Sequence, residues 1–257
     1  MEQPQSLRVG CVRYLNARPL IRGWPGEVVF DHPAVLSAQL QRGNLDVALV
    51  SSFEFLRNPI YRVVDGVSIT AEGPVYSVIV AHRGKISDVR EIALDPASLT
   101  SAALLRVFLD KLNLHPRLVS ASAEDVKSDR VLLLIGDQAI HFRQTHANDF
   151  EFWDLAEAWK DATGLPFVFA LWLVRPEVSD VEEIADKLRR LRDINLSDID
   201  RVIAEEGEFD HEFCRRYFSD HLRFSFGDKE KEGLRTFAEQ CARQGLIPRH
   251  DLALNLI

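Results

Sequence analysis

The sequence predicts an α/β fold with mostly parallel sheets, divided into two lobes and completed by a helical C-terminal tail. Short apolar runs alternate with amphipathic stretches as far as residue 175, the pattern of repeated strand–helix units. Two long apolar runs, residues 75–83 and 166–175, bracket the middle of the chain. After Pro176 the composition turns to Glu, Lys and Arg, with apolar residues at three- and four-residue spacing.

Taken in order, residues 8–14 read as a short buried strand with apolar Val9, Cys11 and Val12. It ends at Asn16, and Pro19 forbids its continuation. Residues 27–31 are strand-like. Residues 33–42 form an amphipathic helix, with Pro33 in its first turn and Gly43 as its stop. Residues 45–50 are a buried strand. Residues 62–70 and 75–82 are β-branched strands separated by Gly73-Pro74. Residues 91–95 open a further unit, followed by a helix from about Thr100 to Leu112. Residues 117–120, 131–135 and 166–175 are strands, the last the longest, and residues 181–206, 210–221 and 229–244 are helices. The expected partition puts residues 1–82 and 171–257 in the first lobe and 83–170 in the second, with a ligand cleft between them. Residues 75–83 are the outgoing crossing, residues 166–175 the return, and the tail packs on the first lobe.

The 257 residues, 46% apolar and 27% charged, suit a globular protein with one large core or two smaller ones. No apolar run approaches the roughly 20 residues that span a bilayer, and MEQPQSL has neither the basic nor the apolar region of an export signal. The expected location is cytoplasmic. A net charge of −8 argues against nucleic-acid and membrane partners but leaves an anionic small molecule open. Screening over about 10 Å leaves such binding to local donors. Cys11, Cys214 and Cys241 are widely spaced and odd in number, as expected of free thiols in a reducing compartment. The spacing of His141 and His146, and of His211 and Cys214, suits no zinc site. Trp153, Trp159 and Trp172 are expected in cores. Phosphate loops and nucleophile elbows are absent.

Four strand ends share a pattern. The first leads to Asn16. The second leads to Ser51-Ser52, the third to Asp95-Pro-Ala-Ser98-Leu-Thr100-Ser101, and the fourth to Gly136-Asp137. Taken singly, Ser, Thr and Asp before a helix are ordinary caps. Aligned at the carboxyl edges of sheets, they describe one cleft where helix N-termini hold a compound with two carboxylates.

Several segments together resemble the chorismate dehydratase family of the futalosine route to menaquinone. They are RVGCVRYLNARPL (8–20), LDVALVSSFEF (45–55), EGPVYSVIV (72–80), DPASLTSAALLRVFL (95–109), LLIGDQA (133–139) and DLAEAWKDATGLPFVFALWLVR (154–175). The helical tail matches only in length and character. The resemblance implies the two-lobed fold of type 2 periplasmic binding proteins. It also implies a reaction in which chorismate loses its ring hydroxyl as water, together with the hydrogen on the carbon bearing the enolpyruvyl ether. The product is 3-[(1-carboxyvinyl)oxy]benzoate, and aromatisation drives the step without cofactor or metal.

Residue by residue, the resemblance makes Asn16 and Ser77 the catalytic pair. Ser98, Thr100 and Ser101 bind one carboxylate. Tyr14, Gly136 and Asp137, with Ser51 or Ser52, line the rest, and Phe169 presses on the ring. Among these, Asp137 is the one obvious side-chain base, since neutral donors do not readily take a proton. The expected base is therefore the substrate's own enolpyruvyl carboxylate, folded over the ring. The expected partner is a small dicarboxylate, and the protein is a monomer or homodimer. The other readings are a cytoplasmic sensor of a cyclic or aromatic carboxylate and a related enzyme making 1,4-dihydroxy-6-naphthoate. The missing export signal argues against a solute receptor. The lack of room before Arg8 for a DNA-binding motif argues against a transcriptional effector domain.

Overall fold

The computed structural model describes residues 7–122, 125, 130–249 and 251–257. The opening residues, read above for an export signal, lie outside them up to residue 6.

Two five-stranded sheets organise the described residues. The first runs in the order β2 (Val28–Phe30), β1 (Val9–Cys11), β3 (Val47–Ser51), β10 (Phe167–Val174), β4 (Arg62–Ala71). The second runs β7 (Arg117–Ser120), β6 (Glu91–Leu94), β8 (Leu132–Ile135), β5 (Val78–His82), β9 (Glu151–Asp154). The two share one plan. In each, the first strand of the unit lies between the second and third. The strand next to the third arrives from the far side and runs antiparallel to both of its neighbours. Each sheet is therefore mixed, four strands one way and one against. Sheet membership puts Val78–His82 in the second sheet and Phe167–Val174 in the first. The expected switch points at 82/83 and 170/171 thus fall at the end of one crossing strand and inside the other, and the chain passes between sheets at residues 72–77 and 164–166.

Apolar continuity explains why these strands are central. Val47, Ala48, Leu49 and Val50 are fully buried, as are Leu171 to Val174. In the second sheet alternate residues fall into two separate core clusters. Val78, Val80, Leu133 and Ile135 face one, and Ile79, Ala81, Leu132 and Leu134 face the other. Both faces are covered, so period-2 alternation gives way to unbroken apolar runs. Trp159 and Trp172 fill the core, while Trp153 is half-buried beside Phe108. Cys11, Cys214 and Cys241 are buried free thiols.

The helices are α1 (Arg18–Ile21), α2 (Pro33–Arg42), α3 (Ser52–Arg57), α4 (Leu99–Lys111), α5 (Gly136–Thr145), α6 (Leu155–Thr163), α7 (Val181–Ser197), α8 (Ile199–Ala204), α9 (His211–Arg216) and α10 (Asp228–Arg243). Several differ from expectation for local reasons. The first strand stops at Cys11 because Tyr14 and Ala17 close a 3-10 turn, Leu15–Ala17, that leads into α1 with Pro19 in its first turn. The expected helix 181–206 breaks at Asp198, where the Ser197 hydroxyl takes the Ile194 carbonyl and the backbone leaves helical angles. The expected helix 210–221 ends in a π-helical turn, Tyr217–His221.

The tail does pack on the first sheet, α7 against β4 and α10 against β10. Gly233 of α10 permits that approach, since a Cβ there would stand 2.2 Å from the Pro166 carbonyl oxygen. The last residues pair with β4 through Val63, Asn255 and Ile257, and Arg223 pairs with Thr70, so the β4 edge is covered. The tail reaches further than expected, because Glu208 and Phe209 also touch His141 of the second lobe, while Tyr217 and His221 hold Ser77 and Pro74 in the crossing.

Candidate active site

A cleft with an empty volume of about 580 Å³ opens between the sheets. It is lined by Tyr14, Asn16, Ser51, Ser77, Ser98, Thr100, Ser101, Gly136 and Phe169, over apolar walls that include Val12, Leu49, Ile69 and Val75. Nine of the eleven residues singled out from the sequence thus meet at one place, although they come from six strand ends and crossings. Among the described residues, the lining carries no charged side chain.

The exceptions are Ser52 and Asp137. Ser52 is fully buried beneath the wall, and its hydroxyl donates to the Val168 carbonyl at 2.7 Å. Ser51, the last residue of β3, is therefore the one that faces the cleft. Asp137 lies one residue into α5, and its side chain turns away to accept the Leu15 N–H at 2.9 Å. It lines a neighbouring cavity with His32, Asp95, His141 and Glu208. Burial pushes its carboxyl up to about 6; the Leu15 N–H opposes the rise, Glu208 adds to it, Arg18 opposes it and Glu206 adds to it. The open choice between Ser51 and Ser52 thus falls to Ser51, and the expected place of Asp137 in the cleft is corrected.

Four helix N-termini converge on the lining: Pro33 of α2, Ser51 before α3, Ser98 before α4 and Gly136 of α5. None is capped by its own N-cap side chain, although Thr100 takes the Phe53 N–H of α3. By contrast, α6 is capped by Asp154 and α9 by Asp210, both of which point elsewhere. The longest uncapped end, that of α4, carries Ser98, Thr100 and Ser101. Uncapped N–H groups carry partial positive charge toward the cleft. The Ser98 hydroxyl oxygen and Asn16 Oδ1 are both buried without a hydrogen-bond partner. Buried polar atoms rarely lack one, so both are poised for a ligand.

Contacts across the cleft hold the lobes in register. The Thr100 hydroxyl meets the Ser51 hydroxyl, receives the Phe53 N–H at 3.1 Å and reaches the Phe169 carbonyl at 3.3 Å. It acts as a staple between α4 and the first lobe, which leaves Ser98 and Ser101 as the side-chain donors of that end. Tyr14 lies flat on the backbone of Gly136. There φ is +60°, and an added Cβ would come within 2.8 Å of the ring. Both the angle and the space require glycine. Phe169 is the extra residue of a bulge in β10, between Val168 paired with Thr70 and Ala170 paired with Ile69. Bulges re-aim side chains beside functional sites, and this one turns the ring into the cleft.

Three residues were missed from the sequence. Tyr217 donates its hydroxyl to Ser77 at 2.6 Å. Asp154 accepts the N–H groups of Val75 and Tyr76 at 3.2 and 2.8 Å while capping α6, and so fixes the crossing that presents Ser77. Tyr76 takes φ of +69°, uncommon for a residue with a side chain, under the Arg143 guanidinium 4.3 Å from its ring. Tyr76 and Asp154 lie within the segments 72–80 and 154–175 that carry the resemblance, but nothing in those segments marks their roles, and Tyr217 lies in the tail outside them.

Among the described residues, no group of three or more His, Cys, Asp or Glu stands where it could hold a metal ion. No helix of the described residues is long and apolar enough to cross a membrane.

Comparison with known proteins fits this geometry. Solved structures that share the fold include protein AF1704 from Archaeoglobus fulgidus (TM-score 0.77, 18% identity, covering 94% of this chain and 98% of that one) and the periplasmic aliphatic sulphonate binding protein SsuA from Escherichia coli (0.64, 12%, 97% and 96%). The fold is thus that of periplasmic binding proteins. The chain is 29% identical over 253 residues to the chorismate dehydratase of Thermus thermophilus, covering 90% of this chain and 93% of that protein. It is 26% identical over 230 residues to that of Campylobacter jejuni, covering 89% and 90%. The model of a family described as menaquinone biosynthesis matches residues 7–243, and the chain belongs to that family.

Proposed function

We propose that the protein is a chorismate dehydratase, a carbon–oxygen lyase that forms 3-[(1-carboxyvinyl)oxy]benzoate and water in the cytoplasm. The observation that carries the mechanism is a cleft with many uncapped helix ends and neutral hydroxyls and no charged side chain lining it. Chorismate has two carboxylates and one hydroxyl. The N-terminus of α4, with Ser98 and Ser101, suits the ring carboxylate. Phe169 and the apolar wall suit the ring.

The ring hydroxyl is the only hydrogen-bond donor on the dianion, and Asn16 Oδ1 is a buried acceptor without a partner. Asn16 therefore orients the hydroxyl that leaves, and Ser77 donates to it as its bond to carbon breaks. With Asp137 turned away onto Leu15, the enolpyruvyl carboxylate takes the hydrogen from the adjacent ring carbon. That electron pair completes the aromatic ring and the hydroxyl departs as hydroxide. The hydroxide then recovers the proton from the carboxylic acid, giving water and restoring the carboxylate. The enzyme's part is to hold this geometry and exclude water.

The lobes suggested by the sheets are residues 7–77 with 164–257, and 78–163, with chorismate between them. Purified protein incubated with chorismate should form the aromatic enolpyruvyl ether, identified by mass and by its ultraviolet spectrum. Tight binding without product would favour a sensor instead, and neither binding nor product would refute the reading.

A further inference from the structure

We infer that Tyr217, a tail residue behind the cleft wall, is a positioning residue that fixes the direction in which Ser77 donates its hydrogen bond. The inference rests on the dehydratase reading. A serine hydroxyl has one hydrogen to give and can also accept. Ser77 accepts from Tyr217 at 2.6 Å. Among the described residues, the one acceptor within its reach is the Val75 carbonyl at 3.5 Å, beyond the range of a well-formed O–H···O bond. The Ser77 proton is therefore left for whatever occupies the cleft it lines. Remove the tyrosine hydroxyl, and the serine is free to rotate and to accept rather than give.

Tyr217 is built to stay in this role. It is fully buried, with its ring stacked 5.7 Å from Phe213 at 14° and Phe218 6.0 Å away. Burial keeps its hydroxyl protonated; the bond to Ser77 works against this, Asp137 adds to it, the Asn16 amide works against it and Asp154 adds to it. The hydrogen-bond partner of the tyrosine hydroxyl is thus the Ser77 side chain. It is also the first residue of the π-helical turn Tyr217–His221, a rare geometry found mostly at functional sites. The far end of that turn holds the same crossing, since His221 Nδ1 donates to the Pro74 carbonyl at 2.7 Å. Between them the Tyr76 ring packs on Phe213 and His221 at 5.3 and 5.5 Å. Residues 74, 76 and 77 are gripped in sequence by one tail segment, far away in the chain.

The test is a double-mutant cycle on the full chain, with Tyr217→Phe, Ser77→Ala and both, measured with chorismate. Tyr217→Phe should lower kcat about 10- to 100-fold, leave KM within about threefold and leave the melting temperature within a few degrees. The double variant should be no slower than Ser77→Ala alone, because the tyrosine acts only through the serine. Wild-type kcat in Tyr217→Phe, or a double variant slowed by the product of the two single effects, overturns the inference. Should Tyr217→Phe fold poorly, 3-fluorotyrosine at 217 keeps the shape and makes the hydroxyl a stronger donor. A change in kcat with KM unchanged supports the inference, and an unchanged kcat overturns it. Wild-type protein that makes no aromatic product refutes the dehydratase reading and this inference with it. Active wild type with an additive cycle refutes the inference alone.

Discussion

The two lobes share one strand plan but shape the cleft differently. In the second lobe, β6 and β8 each run into a helix of at least ten residues, α4 and α5, whose uncapped N-termini face the ligand space. In the first lobe, the equivalent strands β1 and β3 run into a 3-10 turn with a four-residue helix, and into a six-residue helix. Only a longer helix presents a substantial dipole. The second lobe thus brings two such ends to the cleft, against one, that of α2, in the first. The first supplies Asn16, the bulged Phe169 and an apolar wall, the parts that the proposed mechanism sets against the ring and its leaving group. Duplicated topology does not dictate duplicated chemistry; the segment leaving each strand decides it.

If that division holds, Asn16→Ala strikes the reacting side. It should lower kcat 100-fold or more with chorismate affinity changed less than about tenfold and a native-like circular dichroism spectrum. Gly136→Ala strikes the contact between lobes. It forces a side chain onto Tyr14 at positive φ, and should cost about 2 kcal/mol in denaturant unfolding and about tenfold in kcat/KM. Ser98→Ala strikes the anion side, where the comparison predicts a KM raised about tenfold with kcat within threefold, measured by steady-state kinetics. A kcat loss at Ser98 larger than that at Asn16 would reverse the assignment of the two walls.

Asp137 gives the smallest effect, and one that depends on pH. Its folded value near 6 lies above the ordinary carboxylate value of 3.8, so the folded state holds a proton more tightly than the unfolded one. Its contribution to stability is therefore fullest below about pH 4 and is lost as pH rises through 6. Asp137→Asn should flatten that part of the stability profile while the amide oxygen still accepts from Leu15. Turnover should stay within tenfold and lose any acid limb near pH 6. Abolished turnover with chorismate still tightly bound would make Asp137 the base.

Much of this was legible in the sequence, and the reasons are local. Pro33 and Gly43 punctuate α2 at both ends. The polar strand ends announced a cleft because a buried apolar run that stops at Asn, Ser or Gly has little else to offer. Side-chain direction was not legible. The sequence does not say that Ser51 faces in while Ser52 faces down, or that Asp137 turns back to Leu15, because both depend on how a helix starts after its strand. Tyr217 was out of reach for a different reason. Its partner Ser77 lies 140 residues away, and the π turn that aims it has no sequence signature.

The central claim is that the substrate supplies the base. It is tested most directly with chorismate whose enolpyruvyl carboxylate is converted to a neutral methyl ester, compared with chorismate itself under single-turnover conditions. The account predicts that the ester still binds through its ring carboxylate but loses water at least 1,000-fold more slowly, roughly the larger part of what general base catalysis supplies. Dehydration of the ester within tenfold of the rate for chorismate would contradict it and require a base on the protein.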